Sequence, residues 1–119
     1  MRYSEDEAPA AVDLSPLLGA HILQVAVGEF EIQLHLCASF WGTFSVTLAG
    51  ETTVGSRRMT LAEARHLLVD VVGKELTKAE IVRGDLHLEL DGSMSVIAHG
   101  GSPYEDFVIT GPADFLVIG

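Results

Sequence analysis

Four side chains that can bind a metal fall on two stretches of alternating polar and apolar residues. His35 and Cys37 share the polar side of one stretch, and His87 and Glu89 share the polar side of another. Imidazole, thiolate and carboxylate groups are zinc ligands, so these four could surround a metal ion if their strands were neighbours. The alternative is that they are solvent-facing residues that keep a sheet soluble. No pair has a tight ligand spacing that recurs in the chain, and we expect no metal and no cofactor.

Two further groups have side chains suited to chemistry. Cys37 is the only cysteine, which excludes a disulfide within the chain. It could act as a thiol nucleophile beside a distant histidine, although a lone cysteine at a strand end is more often inert. Tyr104, Glu105 and Asp106 follow a Gly-Gly-Ser-Pro run and could form an acid–base pair or an anchor for a partner. Since neighbouring strand residues point to opposite faces, Glu105 and Asp106 would not converge, and Tyr104 could instead pack over a turn.

The chain contains none of the common enzyme motifs that bind phosphate, zinc or an acyl group. A glycine-rich loop followed by Lys-Ser/Thr, His-Glu-x-x-His and Gly-x-Ser-x-Gly are all absent from the sequence. We therefore expect a protein that is not an enzyme.

The acidic residues are unevenly distributed along the chain. Its 119 residues include 17 Asp or Glu and 7 Lys or Arg, so the formal net charge is 7 − 17 = −10. Phosphate would be repelled, which disfavours nucleic-acid binding. The acidity serves solubility, or it attracts a basic protein and speeds association. No Lys or Arg follows Arg83, whereas the acids after it are Asp85, Glu89, Asp91, Glu105, Asp106 and Asp114.

The apolar segments are too short for a membrane protein. No apolar run approaches the roughly 18 residues of a membrane helix. Residues 1–13 are acidic and do not resemble a signal peptide, so we expect a cytoplasmic protein that does not bind membranes. Residues 1–12 have the composition of a disordered acidic tail.

The periodicity of apolar residues predicts an α+β, mainly β domain over residues 13–119. One amphipathic helix, over about residues 60–72, begins at a Thr60–Glu63 capping box and packs on two related antiparallel meanders that form one sheet or a sandwich. The meanders cover about 17–49 and 71–98, followed by strands over 105–118. Asp91-Gly92 predicts a two-residue hairpin turn. We expect a hairpin over 21–36 with a turn at Gly28, a loop over Gly50–Arg58, and strands over 43–49, 75–82, 85–90, 93–98, 105–110 and 115–118.

The two halves of the sequence resemble each other. LLGAHILQVAV aligns without gaps with VVGKELTKAEI, so that Gly19 corresponds to Gly73 and Ile22 to Leu76. GTFSVTL later aligns with GSMSVIA. One interpretation is an internal repeat of two β-meanders around a common core. The other is that amphipathic strands resemble one another by composition alone.

Several of these patterns together resemble a family of small bacterial β-rich domains without an assigned function. The resemblance is carried by the leading Leu-Leu-Gly, by Gly84–Gly92 with its terminal Asp-Gly, and by the Tyr-Glu and Gly-Pro pairs at 104–105 and 111–112. It covers about residues 14–118, and Phe107 stands where the pattern often has tryptophan. Such domains are similar in size and acidity to toxin-immunity proteins. The resemblance implies a fold more than a role.

These observations lead to three functional hypotheses. The first is a non-enzymatic binding protein of immunity or inhibitor type that captures a basic protein, such as a toxin, through an acidic surface; charge reversal at Glu105 and Asp106 should then slow binding. The second is a β-rich module that forms a homodimer through exposed sheet edges. The third is the metal enzyme that would use His35, Cys37, His87 and Glu89. The residues predicted for the acidic surface are Asp85, Glu89, Asp91, Tyr104, Glu105 and Asp106.

Overall fold

A computed structural model of the chain describes residues 13–39, 42–102, 105–113 and 115–119. These residues form a short 3₁₀ turn (Ser15–Leu17), one α-helix and ten strands. In chain order the larger elements are β1 (His21–Val27), β2 (Ile32–Ala38), β3 (Gly42–Leu48), β4 (Thr52–Val54), β5 (Arg57–Met59), α1 (Leu61–Leu68), β6 (Leu76–Val82), β7 (Asp85–Leu90), β8 (Met94–Ala98), β9 (Phe107–Thr110) and β10 (Leu116–Ile118).

The strands form two five-stranded antiparallel sheets that exchange hairpins. The first sheet has the order β1-β2-β3-β9-β10, and the second has the order β5-β4-β8-β7-β6. The β4–β5 hairpin leaves the first meander to join the second sheet, and the β9–β10 hairpin makes the reverse crossing. The predicted α+β, mainly β class with antiparallel meanders and one helix is confirmed.

The two sheets are joined where β1 and β6 begin. The amide of Gly19 donates to the carbonyl of Leu76 (2.9 Å), and the amide of Gly73 donates to the carbonyl of Ile22 (2.7 Å). The sequence alignment equates Gly19 with Gly73 and Ile22 with Leu76. Each glycine therefore donates to the residue of the other half that corresponds to the acceptor in its own half. Both glycines have positive φ, 83° and 90°, which a residue with a side chain rarely adopts.

One hydrophobic cluster contains the inner faces of both sheets and the buried side of α1. Phe44 on β3 and Phe107 on β9, both in the first sheet, are its largest buried side chains, 2% and 1% exposed. Ala64 and Leu68 of α1 are fully buried and the helix packs against β4. Because both sheets pack on this one core, the core also sets the positions of their outer faces.

The helix begins as predicted and ends four residues early. The hydroxyl of Thr60 accepts from the amide of Glu63 (3.3 Å), and the Glu63 carboxylate accepts from the amide of Thr60 (3.2 Å). The last helical residue is Leu68, not Val72. Three β-branched valines in the four residues 69–72 weaken the helix there, because their side chains crowd the preceding turn. Val71 is nevertheless buried, only 1% exposed, outside the helix.

The loop predicted over Gly50–Arg58 is instead the β4–β5 hairpin, so the described chain has ten strands where the sequence predicts eight. Thr52 and Met59 are paired across this hairpin and point inward, 0% and 5% exposed. Gly55, with φ 67°, permits the tight turn between the strands. Three-residue strands are too short for an alternating pattern to be recognised in the sequence.

The first hairpin is confirmed, but its turn is longer than predicted. The amide of Gly28 donates to the carbonyl of Glu31 (2.8 Å), and strand pairing stops at Val27 and Ile32. Phe30, which continues the alternation of β2 in the sequence, lies in this connection and is 77% exposed. The pairing register, not the alternation, sets where the strand begins.

Candidate functional site

Three of the acids predicted to bind a partner lie on β7 or at its end. Asp85 and Glu89 alternate with buried leucines, so both lie on the outer face of the second sheet. Asp91 begins the turn to β8 with φ 53°, and Gly92 follows with φ 71°. These positive values are those of the two-residue hairpin turn predicted from Asp-Gly.

The carboxylate of Glu89 is positioned by a hydroxyl group. Thr77 Oγ1 lies 3.0 Å from Glu89 Oε1 and 3.1 Å from the Glu89 carbonyl, and it donates to this residue. The same hydroxyl oxygen accepts from the amide of Gly92 at 3.0 Å. Thr77 lies where the pairing of β6 with β7 shifts register. Because the donor is neutral, it positions Glu89 without neutralising it. Lys78 lies opposite Glu89 in the register of the two strands, but its ammonium group is 3.3 Å from Glu80.

Asp91 is held by both a backbone amide and a cation. Its Oδ1 accepts from the amide of Glu75 (2.8 Å), and its Oδ2 lies 3.5 Å from Lys74 Nζ. The amide of Glu75, assisted by the Lys74 ammonium, lowers the pKa of Asp91 below its ordinary value. The charge of Asp91 is therefore partly satisfied within the chain.

Asp85 takes part in a carboxylate–imidazole–hydroxyl arrangement that crosses three strands. Its Oδ2 lies 3.4 Å from His99 Nδ1, and its Oδ1 accepts from the amide of Gly100 at 2.9 Å. On the other side of the imidazole, His99 Nε2 lies 2.6 Å from Thr53 Oγ1. The His99 side chain is only 17% exposed.

This arrangement has the residue types of a hydrolytic triad, but the amides beside its hydroxyl group are not placed to stabilise an oxyanion. A triad needs amide donors directed at the oxyanion of the intermediate. Thr53 lies in the middle of β4, which is paired with β5 on one side and β8 on the other. The β4 amides consequently belong to strand ladders. The geometry fits a role for Asp85 and His99 in holding the start of the loop that returns to the first sheet.

Other acids near the second sheet are neutralised by bases of the same chain. Glu51 lies 3.0 Å from Arg58, and Glu80 lies 3.3 Å from Lys78. In the same way Glu63 lies 3.2 Å from Arg57. Glu89 differs from these acids, since the hydrogen bond that holds its carboxylate comes from a hydroxyl group and not from a cation.

Asp106 does not lie on the exposed acidic surface that the sequence predicts. It is 7% exposed, and its carboxylate accepts from the amide (3.1 Å) and the hydroxyl (2.8 Å) of Ser102. A Cβ atom on Gly50 would lie 2.7 Å from its Oδ1. Asp106 thus contacts both segments in which the chain crosses between the sheets, the one after β3 at Gly50 and the one after β8 at Ser102. Its neighbour Glu105 is exposed, and the prediction for Tyr104 lies outside the described residues.

The proposed metal ligands are not brought together. His35 and Cys37 lie on β2 in the first sheet, whereas His87 and Glu89 lie on β7 in the second. The condition that these strands be neighbours is not met, and that hypothesis is wrong. The described residues contain no other group of three or more His, Cys, Asp or Glu placed to hold a metal ion.

Sequence reasoning missed His99 and Thr53. They are separated by 46 residues, and His99 is separated from Asp85 by 14. Only the order of β4, β8 and β7 in the sheet brings them together. Because Thr53 falls in the segment predicted as a loop, no pattern in the sequence could have joined the three.

Comparison of the chain with protein-family models, with curated proteins and with solved structures finds no match. Within the described residues, no helix has the length and apolar character needed to cross a membrane.

Proposed function

We propose that this chain is a non-enzymatic binding protein, of immunity or inhibitor type, that captures a basic protein through the outer face of its second sheet. The observation that supports it most is the difference between two neighbouring acids on that face. Glu80 is compensated by Lys78 (3.3 Å), whereas Glu89 is fixed by the Thr77 hydroxyl (3.0 Å).

A carboxylate fixed by a neutral donor is well suited to bind a cationic partner. Its geometry is set before binding, so less side-chain entropy is lost when an Arg or Lys of the partner arrives. Its charge remains available, and charge-assisted hydrogen bonds are the stronger kind. Glu89 is the central acid of this proposal, with Asp85 and Asp91 beside it and exposed Glu105 on the loop that follows. Buried Asp106 has no part in it.

The proposal includes a bacterial origin and a cytoplasmic location, where a basic toxin or enzyme would be neutralised before it acts. An exposed free thiol at Cys37 fits a reducing compartment.

A matched pair of variants tests the proposal. Glu89→Gln removes the charge that the Thr77 hydroxyl positions, and Glu51→Gln removes an equal charge just before β4, where Arg58 already pairs it (3.0 Å). Immobilised wild-type and variant chains are exposed to a lysate of the source cell, and retained proteins are identified and then purified for binding measurements. We expect a basic protein that wild type and Glu51→Gln bind alike, and that Glu89→Gln binds about fivefold more weakly, equivalent to about 1 kcal/mol.

Salt provides a second criterion for the same complex. Binding that depends on Glu89 should weaken as salt screens the charges. Retention that is insensitive to salt, or equal effects of Glu51→Gln and Glu89→Gln, would contradict capture of a basic partner through this acid.

A further inference from the structure

The five strands of the first sheet contain no Asp, Glu, Lys or Arg. The residues of β2, β3 and β9 that alternate with buried ones form what we call the neutral face. In the register of the sheet, His35 lies opposite Ser45 and Ser45 opposite Thr110. The neutral face consists of Gln33, His35, Cys37, Thr43, Ser45, Thr47, Val108 and Thr110.

We propose that the neutral face binds the neutral face of a second copy of this chain, forming a reversible homodimer. The proposal is independent of the capture of a basic partner, since it uses the opposite sheet. It differs from pairing through sheet edges, because here two sheets would stack face to face.

Charge is the first reason for choosing a second copy as the occupant. Each chain carries a formal net charge of −10, so two copies repel each other in most orientations. Contact through the second sheet would place Glu89 and Asp85 against the same acids of the copy. Contact through the neutral face puts no charged side chain at its centre, and depletion of charge is characteristic of interface centres. The Glu31 carboxylate, which accepts from Gln33 at 3.0 Å, lies at its edge.

Hydrogen bonding is the second reason. A two-fold dimer brings the same patch against itself, so the patch must be complementary to its own chemistry. Ser, Thr, Gln and neutral His each have both a donor and an acceptor. Carboxylates only accept and ammonium groups only donate, so a face rich in either could not pair with its copy. The neutral face meets this requirement at Gln33, His35, Thr43, Ser45, Thr47 and Thr110.

The size of the sheet indicates the strength of the dimer. Strands of seven, seven, seven, four and three residues, about 4.8 Å apart with a rise of about 3.3 Å per residue, give the outer face of the first sheet at most roughly 450 Å² per chain, of which roughly 300 Å² lies on β2, β3 and β9. Two such faces bury at most about 900 Å² in total, below the roughly 1,200 Å² at which stable specific interfaces begin. The expected dimer is therefore weak, with dissociation in the micromolar range or above.

The test compares two identical substitutions on opposite sheets. Ser45→Asp puts a carboxylate in the middle of the neutral face, and Ser95→Asp puts one on the outer face of β8, where Ser95 lies opposite Glu89. Light scattering over about 1 µM to 1 mM should give wild type and Ser95→Asp masses rising to two chains. Ser45→Asp should weaken dimerisation about tenfold or more, because like charges would meet. Thermal melts establish that both variants fold.

The single thiol gives a second measurement on the wild-type chain, which needs no variant to fold. Cys37 is exposed on the neutral face opposite Thr43. Its reaction rate with a thiol reagent should fall as protein concentration rises. A constant rate while the mass doubles would show a dimer that uses another face, and a single-chain mass at every concentration would show no dimer. Either result overturns the inference, and neither bears on the Glu89 proposal.

Discussion

The outer faces of the two sheets differ in how they manage charge. On the second sheet, Lys78 and Glu80 are paired, and Glu89 is held by a hydroxyl on the next strand. On the first sheet the strands have no charged residue at all. Yet both sheets are built from meanders that share one core and exchange equivalent hairpins.

This difference shows that the outer surface can diverge while the inner pattern stays the same. Inward-pointing residues must be apolar in both sheets because they fill one core. Outward-pointing residues are not constrained by packing, so charge could be distributed unequally between the faces. We propose that this unequal charge gives the faces opposite binding preferences: cations for one, and a neutral surface for the other.

Breaking the shared core should have the largest effect, because it removes both faces at once. Leu68 is fully buried in α1, whereas Arg65 in the same helix is exposed. Leu68→Asp buries an unpaired charge and leaves the core unfilled, and we expect a loss of about 3 kcal/mol or more in the free energy of unfolding. Arg65→Asp should change it by less than about 0.5 kcal/mol. Urea denaturation measures both, and similar losses would contradict the described packing of the helix.

Removing the hydrogen bonds of Asp106, where the chain crosses between the sheets, should have an intermediate effect on the free energy of unfolding. Asp106→Ala removes the two hydrogen bonds from Ser102 and leaves the space of a buried carboxylate unfilled. We expect a loss of about 1–3 kcal/mol. Glu105→Ala, at the exposed neighbouring position, should be close to neutral. Chemical denaturation of the two variants distinguishes a buried Asp106 from the surface acid that the sequence predicts, and equal effects would favour the surface position.

Removing an ion pair from the second sheet should have a small effect on the free energy of unfolding. Arg58 lies 3.0 Å from Glu51, with both side chains more than half exposed. Arg58→Ala should cost less than about 1 kcal/mol, because solvent screens the attraction between exposed charges. Thermal melting at low and high salt measures it. A larger loss would mean that ion pairs, and not the core, stabilise the second sheet.

The smallest expected effect is on the pH dependence of stability, and it concerns the turn between β7 and β8, beside the outer face of the second sheet. The pKa of Asp91 is lowered in the folded chain, chiefly by the amide of Glu75. Its carboxylate therefore contributes stability above its ordinary pKa, and that contribution is lost as the pH falls through the lowered pKa of the folded state. Asp91→Asn keeps the turn geometry and removes this titration. Stability curves between about pH 5 and pH 2 should fall less steeply for the variant, and identical slopes would contradict the assigned hydrogen bond.

Most of the fold could be predicted because its signals are local. Alternation located β2, β3 and β7, the capping box located the start of α1, and Asp-Gly located the turn before β8. The β4–β5 hairpin was missed because its strands have only three residues each. The early helix end was missed because apolar spacing continues through Val71 after the helical backbone has stopped.

The site could be predicted only in part, because its geometry depends on strand order. Alternation was sufficient to put Asp85 and Glu89 on one side of β7. Burial of Asp106 follows from its contact with Ser102 at the crossing between sheets, which no periodicity encodes. The arrangement of His99 between Asp85 and Thr53 likewise arises from three strands that are distant in sequence.

The salt dependence of wild-type self-association most directly tests the division of charge between the two faces. Dimerisation through the neutral face should strengthen several-fold between about 20 mM and about 500 mM NaCl, because salt screens the repulsion between two chains of charge −10. Sedimentation equilibrium gives the dissociation constant at each concentration. Dissociation promoted by salt would instead indicate an interface made of ion pairs and would contradict a neutral one.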